Sequence, residues 1–179
     1  MRRFTNTIIA IFIIFSFLLP ADCAIKGSLE YSIPVDYSKI NEAETAARAD
    51  SLYNRISVMS SAKLDDNITS ALNLYTILSN NNPQNITYAL RLGKLYDIIG
   101  KDRQAKGNYY RAMGINQSNP EPYFYLGEFF YKRSQFRRAL KFYKKAYERG
   151  YSNHPQTITR LREIYKKFGD KNSLANLNH

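Results

Sequence analysis

The groups able to do chemistry are few in this chain, and they stand apart. His154 sits in a turn-forming stretch and His179 is terminal. With Cys23 they offer no spacing that would close around a metal ion. Gly93-Lys-Leu-Tyr-Asp-Ile-Ile-Gly100-Lys101 has the outline of a phosphate loop. Its glycines stand too far apart, however, no Ser or Thr follows the lysine, and the stretch falls within a helical pattern. No Gly-x-Ser-x-Gly turn occurs, and no carboxylate pair lies in an apolar setting. The expectation is a non-enzymatic chain with no cofactor and no metal. The dense concentration of interacting groups is "YFYLGEFFYKRSQFRRALKFYKKAYERG", residues 123–150. There aromatics alternate with Arg and Lys, as in a groove that stacks bases and tracks phosphates.

Spacing argues against that groove. The aromatics recur at three and four residues, the period of a helix rather than a strand. By period Tyr123, Leu126, Phe130, Phe136, Tyr143 and Ala146 face an interior, which leaves Phe124, Tyr125 and Tyr131 for contact. Arg137, Arg138, Lys141, Lys144, Lys145 and Arg149 fall on a second helix, as a basic outer face. Rings and charges thus separate onto two surfaces, and nucleic acid is disfavoured as a partner.

The helices that carry these groups repeat. Leu92-Gly93 matches Leu126-Gly127 at an offset of 34 residues, as do Ala105 with Ala139, Tyr109 with Tyr143, and Ala112 with Ala146. One further step back places Ala71 under Ala105 and Tyr75 under Tyr109. A fixed period of this length is the signature of stacked supersecondary units. Gly127 and Ala139 let two helices approach closely, while Phe130 and Tyr143 fill the space beside them. Gly100-Lys101-Asp102 marks a turn within a unit; Asn80-Asn81-Asn82-Pro83 and Asn119-Pro120 mark turns between units. Asn41, with Glu42 and Glu44 behind it, reads as a helix N-cap. Gly107 and Gly114 fall in the second helix of the second unit, which is expected to be the weakest, or to end near Gly114.

The pattern Tyr123-x2-Leu126-Gly127-x2-Phe130, then Ala139-x3-Tyr143-x2-Ala146, resembles the tetratricopeptide repeat family. The resemblance runs from about Leu52 to His179. It implies an all-α fold, a right-handed superhelical solenoid of antiparallel helix pairs. Units are expected at about 52–85, 86–119 and 120–153, with a partial unit at 154–179, in a repeat domain over 41–179. The unit from Leu52 departs most, with Val58-Met59 where Leu-Gly is usual. In this family the first helix of each unit lines a concave, peptide-binding groove. Carried onto this chain, the groove positions are Leu90, Lys94 and Asp97; Glu121, Phe124, Glu128 and Tyr131; and Gln156, Thr159, Glu163 and Lys166. Arg91, Tyr125 and Arg160 lie one residue further round. Some relatives clamp the acidic C-termini of heat-shock chaperones; of the matching positions Leu90, Lys94, Tyr125, Gln156 and Arg160, only Arg160 fits.

Charge and the N-terminus complete the reading. The formal net charge is +11. Residues 25–85 hold five basic and seven acidic side chains, whereas residues 86–179 hold nineteen and seven. The excess in the second half points to an acidic partner. Two arginines followed by the apolar run Ile8 to Leu19, Pro20 and small residues have the layout of a signal peptide over 1–24. Export to a secreted, periplasmic or cell-envelope location is expected, with a retained membrane anchor as the alternative. A lipoprotein signal at Cys23 is disfavoured by Asp22 and Pro20. Residues 25–40 read as an extended lead-in. The Asn-x-Ser/Thr sequons at Asn67, Asn85 and Asn116 follow from an Asn-rich composition. The function expected is a protein or peptide interaction scaffold. The alternative is electrostatic attachment to a polyanion: an anionic membrane surface, a cell-wall polymer or nucleic acid. Homo-oligomers remain open.

Overall fold

The computed structural model describes residues 41–56 and 64–177. The signal-peptide and lead-in expectations, Val58-Met59 and His179 lie outside them. The described residues form helices and no strand: α1 (Glu42–Ile56), α2 (Leu64–Asn81), α3 (Ile86–Ile98), α4 (Asp102–Ile115), α5 (Glu121–Lys132), α6 (Phe136–Glu148), α7 (Pro155–Phe168) and α8 (Lys171–Asn176), with a 3₁₀ turn at Tyr151–Asn153 before α7. Each helix packs on the next along the chain, most extensively within the pairs α1–α2, α3–α4 and α5–α6.

Local chemistry sets the helix ends. Asn41 Oδ1 accepts from the Glu44 amide (3.2 Å), Asn85 Oδ1 from Thr87 (3.0 Å) and Asp170 Oδ1 from Ser173 (3.0 Å), so orphan N–H groups are satisfied at three starts. The three described turns inside units share one device. Gly100, Ser134 and Gly169 all adopt positive φ, at 71°, 56° and 69°. At each turn the next amide reaches back to close the helix: Lys101 to Tyr96, Gln135 to Phe130 and Asp170 to Tyr165, at 2.9–3.0 Å.

Packing follows the repeat. A cross-helix core joins α1, α2 and α3 through Ala49, Ala71, Tyr75, Leu78, Leu92 and Leu95. A second runs on through Ala89, Ala105, Tyr109, Leu126, Ala139, Tyr143 and Leu161. Gly93 and Gly127 are the contact points: a Cβ on either would lie 2.6 Å from ring atoms of Tyr109 or Tyr143.

The first pair is built out of period. Ala49 is fully buried, and the Tyr75 hydroxyl donates to the next residue, Asp50 (2.5 Å), just as the Tyr143 hydroxyl donates to Glu128 beside Gly127 (2.5 Å). Ala49-Asp50 therefore occupies the place of Gly93-Lys94 and Gly127-Glu128, but 44 rather than 34 residues before Gly93. A unit beginning at Leu52 would start inside α1. The ten extra residues lengthen the end of α1, the start of α2 and the segment between them.

Helix α4 runs through Gly107 and Gly114 to Ile115. A Cβ at either glycine would meet open space. Gly107→Ala and Gly114→Ala are each expected to stabilise the protein by about 0.5–1 kcal/mol. Urea unfolding of the two variants checks this; a lower midpoint than that of the parent counts against it.

Candidate functional site

The odd-numbered helices line one concave surface. It holds a cavity of about 310 Å³, bordered by Tyr53 of α1, Lys94, Asp97 and Ile98 of α3, Phe124, Tyr125, Glu128 and Lys132 of α5, and Gln156 of α7, with Tyr109 of α4 behind them. A smaller hollow continues it between Glu128, Pro155, Gln156, Thr159 and Arg160.

Lys94 defines the chemistry of this cavity. Its ammonium stands 3.7 Å from the centre of the Tyr125 ring, a cation–π contact, and 3.9 Å from a Glu121 oxygen. Tyr125 in turn stacks on Tyr109 with centroids 6.0 Å apart. Desolvation pushes the lysine down from 10.5 to about 8, with nearby Arg91 adding to the shift and Glu121 opposing it. The unfolded chain then holds this proton more tightly than the folded one. Stability is therefore expected to rise with pH from about 8 towards 10. Above that, the buried tyrosines, raised chiefly by desolvation, turn the trend over. Denaturant unfolding at pH 7.5 and 9.5 tests the rise; an undiminished rise in Lys94→Met would refute the assignment.

Arg91 is drawn away from the cavity. Its guanidinium covers Tyr53 (4.2 Å), and Nε lies 3.4 Å from Asp50 without hydrogen-bond geometry. Asp97 is held by Lys132 (2.8 Å) and Arg133 (3.0 Å), and Arg133 also binds Asp102. Further along, Glu128, Tyr131, Arg160 and Glu163 satisfy one another. Arg160 donates to Glu128 (2.8 Å) and Glu163 (3.1 Å), Tyr131 donates to Glu163 (2.8 Å), and Arg160 lies 4.3 Å over the Tyr131 ring.

The structure brings Lys94, Tyr125, Glu128 and Arg160 together along the groove and leaves Lys166 exposed. Two expected contact residues need correction. Leu90 is 3% exposed and packs in the core. Phe124 is 6% exposed, because residues 151–154 fold over it and the His154 ring meets it edge-on at 4.8 Å. It still borders the cavity. Phe136, expected inside, is half-buried under Lys167 (4.3 Å). On the outer face, Arg137, Arg138, Lys141 and Lys144 are exposed. Arg149 instead lies 4.4 Å over Tyr123 and donates to the Gln117 carbonyl (2.9 Å), with Lys145 6.0 Å from the same ring. Sequence reasoning missed Ile98, Tyr109 and Lys132 at the cavity and, above all, Tyr53. The Asn41 cap, which starts α1 ten residues before the assumed unit, was the signal that could have placed it.

Among the described residues, a stack of antiparallel helix pairs with a small residue under an aromatic in each full pair has the fold of a tetratricopeptide-repeat solenoid. Solved structures agree on the fold. The first TPR of Spaghetti (RPAP3), bound to the HSP90 peptide SRMEEVD, superposes with a TM-score of 0.60 at 18% identity, over 76% of this chain and 98% of that one. Two crystal structures of MamA superpose at 0.55 and 0.56, with 17% and 15% identity, over 75% and 79% of this chain and 70% and 80% of theirs. No protein-family model and no curated protein matches the sequence.

Proposed function

We propose that this chain is an exported, non-catalytic interaction module that holds a peptide or protein segment in its concave groove. The observation that carries the reading is the Lys94–Tyr125 pair in the cavity floor. Its desolvated cation has only a distant carboxylate for company, beside a stacked aromatic face. Such a site rewards a ligand with a hydrogen-bond acceptor next to an apolar side chain. Most other groove charges are already matched, so the site recognises a segment rather than a highly charged polymer. The RPAP3 structure holds an acidic chaperone peptide. Of the positions matching the family's chaperone clamp only Arg160 fits; among the others Leu90 is buried and Tyr125 is engaged with Lys94. A different sequence preference is therefore expected. Export rests on the N-terminal pattern of two arginines and an apolar run.

Peptide display on the full chain tests the reading. Enriched peptides should lose affinity about tenfold or more in Tyr125→Ala, since truncating an aromatic anchor costs more than 1 kcal/mol. Lys94→Met should weaken them as well. Enrichment that neither substitution affects would place binding elsewhere.

A further inference from the structure

The three described turns inside the units form one continuous edge, and its composition differs from that of the turns between units. Arg133 in the second turn binds Asp97 and Asp102 at the first, and Lys132 binds Asp97. Lys167 in the third turn covers Phe136 in the second, and Phe168 shares a hollow with residues 134–138. Residues 98–103, 132–138 and 166–171 therefore lie side by side. Together they hold nine Lys or Arg and two Asp. Both acids are occupied, Asp102 by Arg133 and Asp170 as the cap of α8. The turns between units, at 82–85, 116–120 and 149–154, hold one arginine and no acid, and that Arg149 is laid over Tyr123.

The basic edge also carries apolar side chains out into solvent. Among the described residues three large hydrophobics are exposed: Ile98 (48%), Phe168 (44%) and Tyr110 (39%). Two of these, Ile98 and Phe168, end α3 and α7 at this edge. Lys101, Arg103, Arg137, Lys166, Lys167 and Lys171 surround them, all exposed.

We propose that this edge docks on an anionic lipid membrane surface, with Phe168 entering the headgroup region and the surrounding cations meeting lipid phosphates. Charge complementarity selects the partner: juxtamembrane Lys and Arg are attracted to anionic lipid, and a protruding ring gains by leaving water. Nucleic acid fits less well, because Ile98 offers no ring to stack on a base and Phe168 stands apart from other exposed rings. The edge adjoins the concave groove at Ile98 and Lys132, which border its cavity, whereas Phe168 lies against residues 134–138 outside it.

The chain contains no tryptophan, which makes the test local to the site. Phe168→Trp in the full chain places a fluorophore on the edge, and Tyr110→Trp places one on α4 as a control. Each is titrated with vesicles of neutral phospholipid and with vesicles holding an anionic phospholipid fraction. The expected result is a blue shift of Phe168→Trp emission on anionic vesicles alone, reversed by molar salt and absent from Tyr110→Trp. Adding Arg137→Gln and Lys166→Gln should raise the lipid needed for half the shift by about fivefold each. Adding Lys141→Gln, midway along α6, should change it less than twofold. An unshifted Phe168→Trp, a shift equal on neutral vesicles, or one equal at Tyr110→Trp would overturn the proposal. So would an equal shift with heparin or single-stranded DNA. Circular dichroism of every variant confirms that the helices remain.

Discussion

Gly127→Ala is expected to lower the unfolding free energy by about 3 kcal/mol, and Gly93→Ala by about 2 kcal/mol. The new methyl at position 127 would stand 2.6 Å from Cδ1 and Cε1 of Tyr143 and 3.0 Å from Cγ. These are the middle of a ring, not the tip of a flexible chain. Tyr143 cannot withdraw, because it is fully buried and its hydroxyl is fixed on Glu128 at 2.5 Å. Position 93 meets the Tyr109 ring at the same 2.6 Å. Tyr109, however, is held by stacking on Tyr125 rather than by a carboxylate, so it can give more ground. In a solenoid each unit is stabilised by its neighbours, so the loss should appear in the whole unfolding transition rather than in one pair. Tyr143→Leu makes room for the methyl and should cost less in the Gly127→Ala background than in the parent, a coupling a double-mutant cycle would read. Urea unfolding is the measurement. A loss below about 0.5 kcal/mol at position 127 would show that the helices separate without penalty.

The contacts at Gly93 and Gly127 explain why the fold was legible. A glycine facing a tyrosine across a helix pair has to recur at the same offset wherever the pair recurs, and it does so at 34 residues. The first pair broke the period because it satisfies the same contact with Ala49 and Tyr75 over a longer connection. Spacing alone could not show where ten extra residues had gone; the helix cap at Asn41 could. The groove was less legible than the fold. Lys94, Tyr125, Glu128 and Arg160 do lie along it, because the first helix of each pair turns the same face inward. Leu90 and Phe124 share that face in projection. Their burial depends on what covers them, and for Phe124 this is the turn at residues 151–154, whose course follows from tertiary packing. The basic edge was not legible as a unit. Its charges lie about 34 residues apart in sequence, and only the ion pairs and ring contacts between successive turns join them.

Arg160→Met is expected to destabilise the protein by about 2 kcal/mol, with a change in the acid limb of its pH profile. Arg160 is the cation on which two carboxylates from different helices converge, Glu128 of α5 and Glu163 of α7. Without it, Glu128 keeps the Tyr143 hydroxyl but loses its counter-charge in a partly enclosed setting, and Glu163 keeps only Tyr131. The estimate is held below that for a fully buried pair because Arg160 and Glu163 are in part solvated, which screens their attraction. Pairing Arg160→Met with Glu128→Gln should cost less than the sum of the two, since the second change removes the charge that the first left unmatched. The pH effect follows from Glu163, whose carboxyl is held below 4.5 by the Tyr131 hydroxyl first and by Arg160 second. A lowered carboxylate contributes stability above the unfolded value and loses it as pH falls through the folded one. Wild type should therefore lose stability as pH drops below about 4.5, and Arg160→Met should lose less over the same range. Equal slopes for the two proteins would mean that Arg160 does not hold Glu163. The same contacts fix α7 against α5, and with them the separation of Glu128 from Gln156 across the groove. A variant that loosens them should also weaken a groove-bound peptide, through that separation and through the loss of Arg160 from the groove wall, whereas binding through the basic edge should be unchanged.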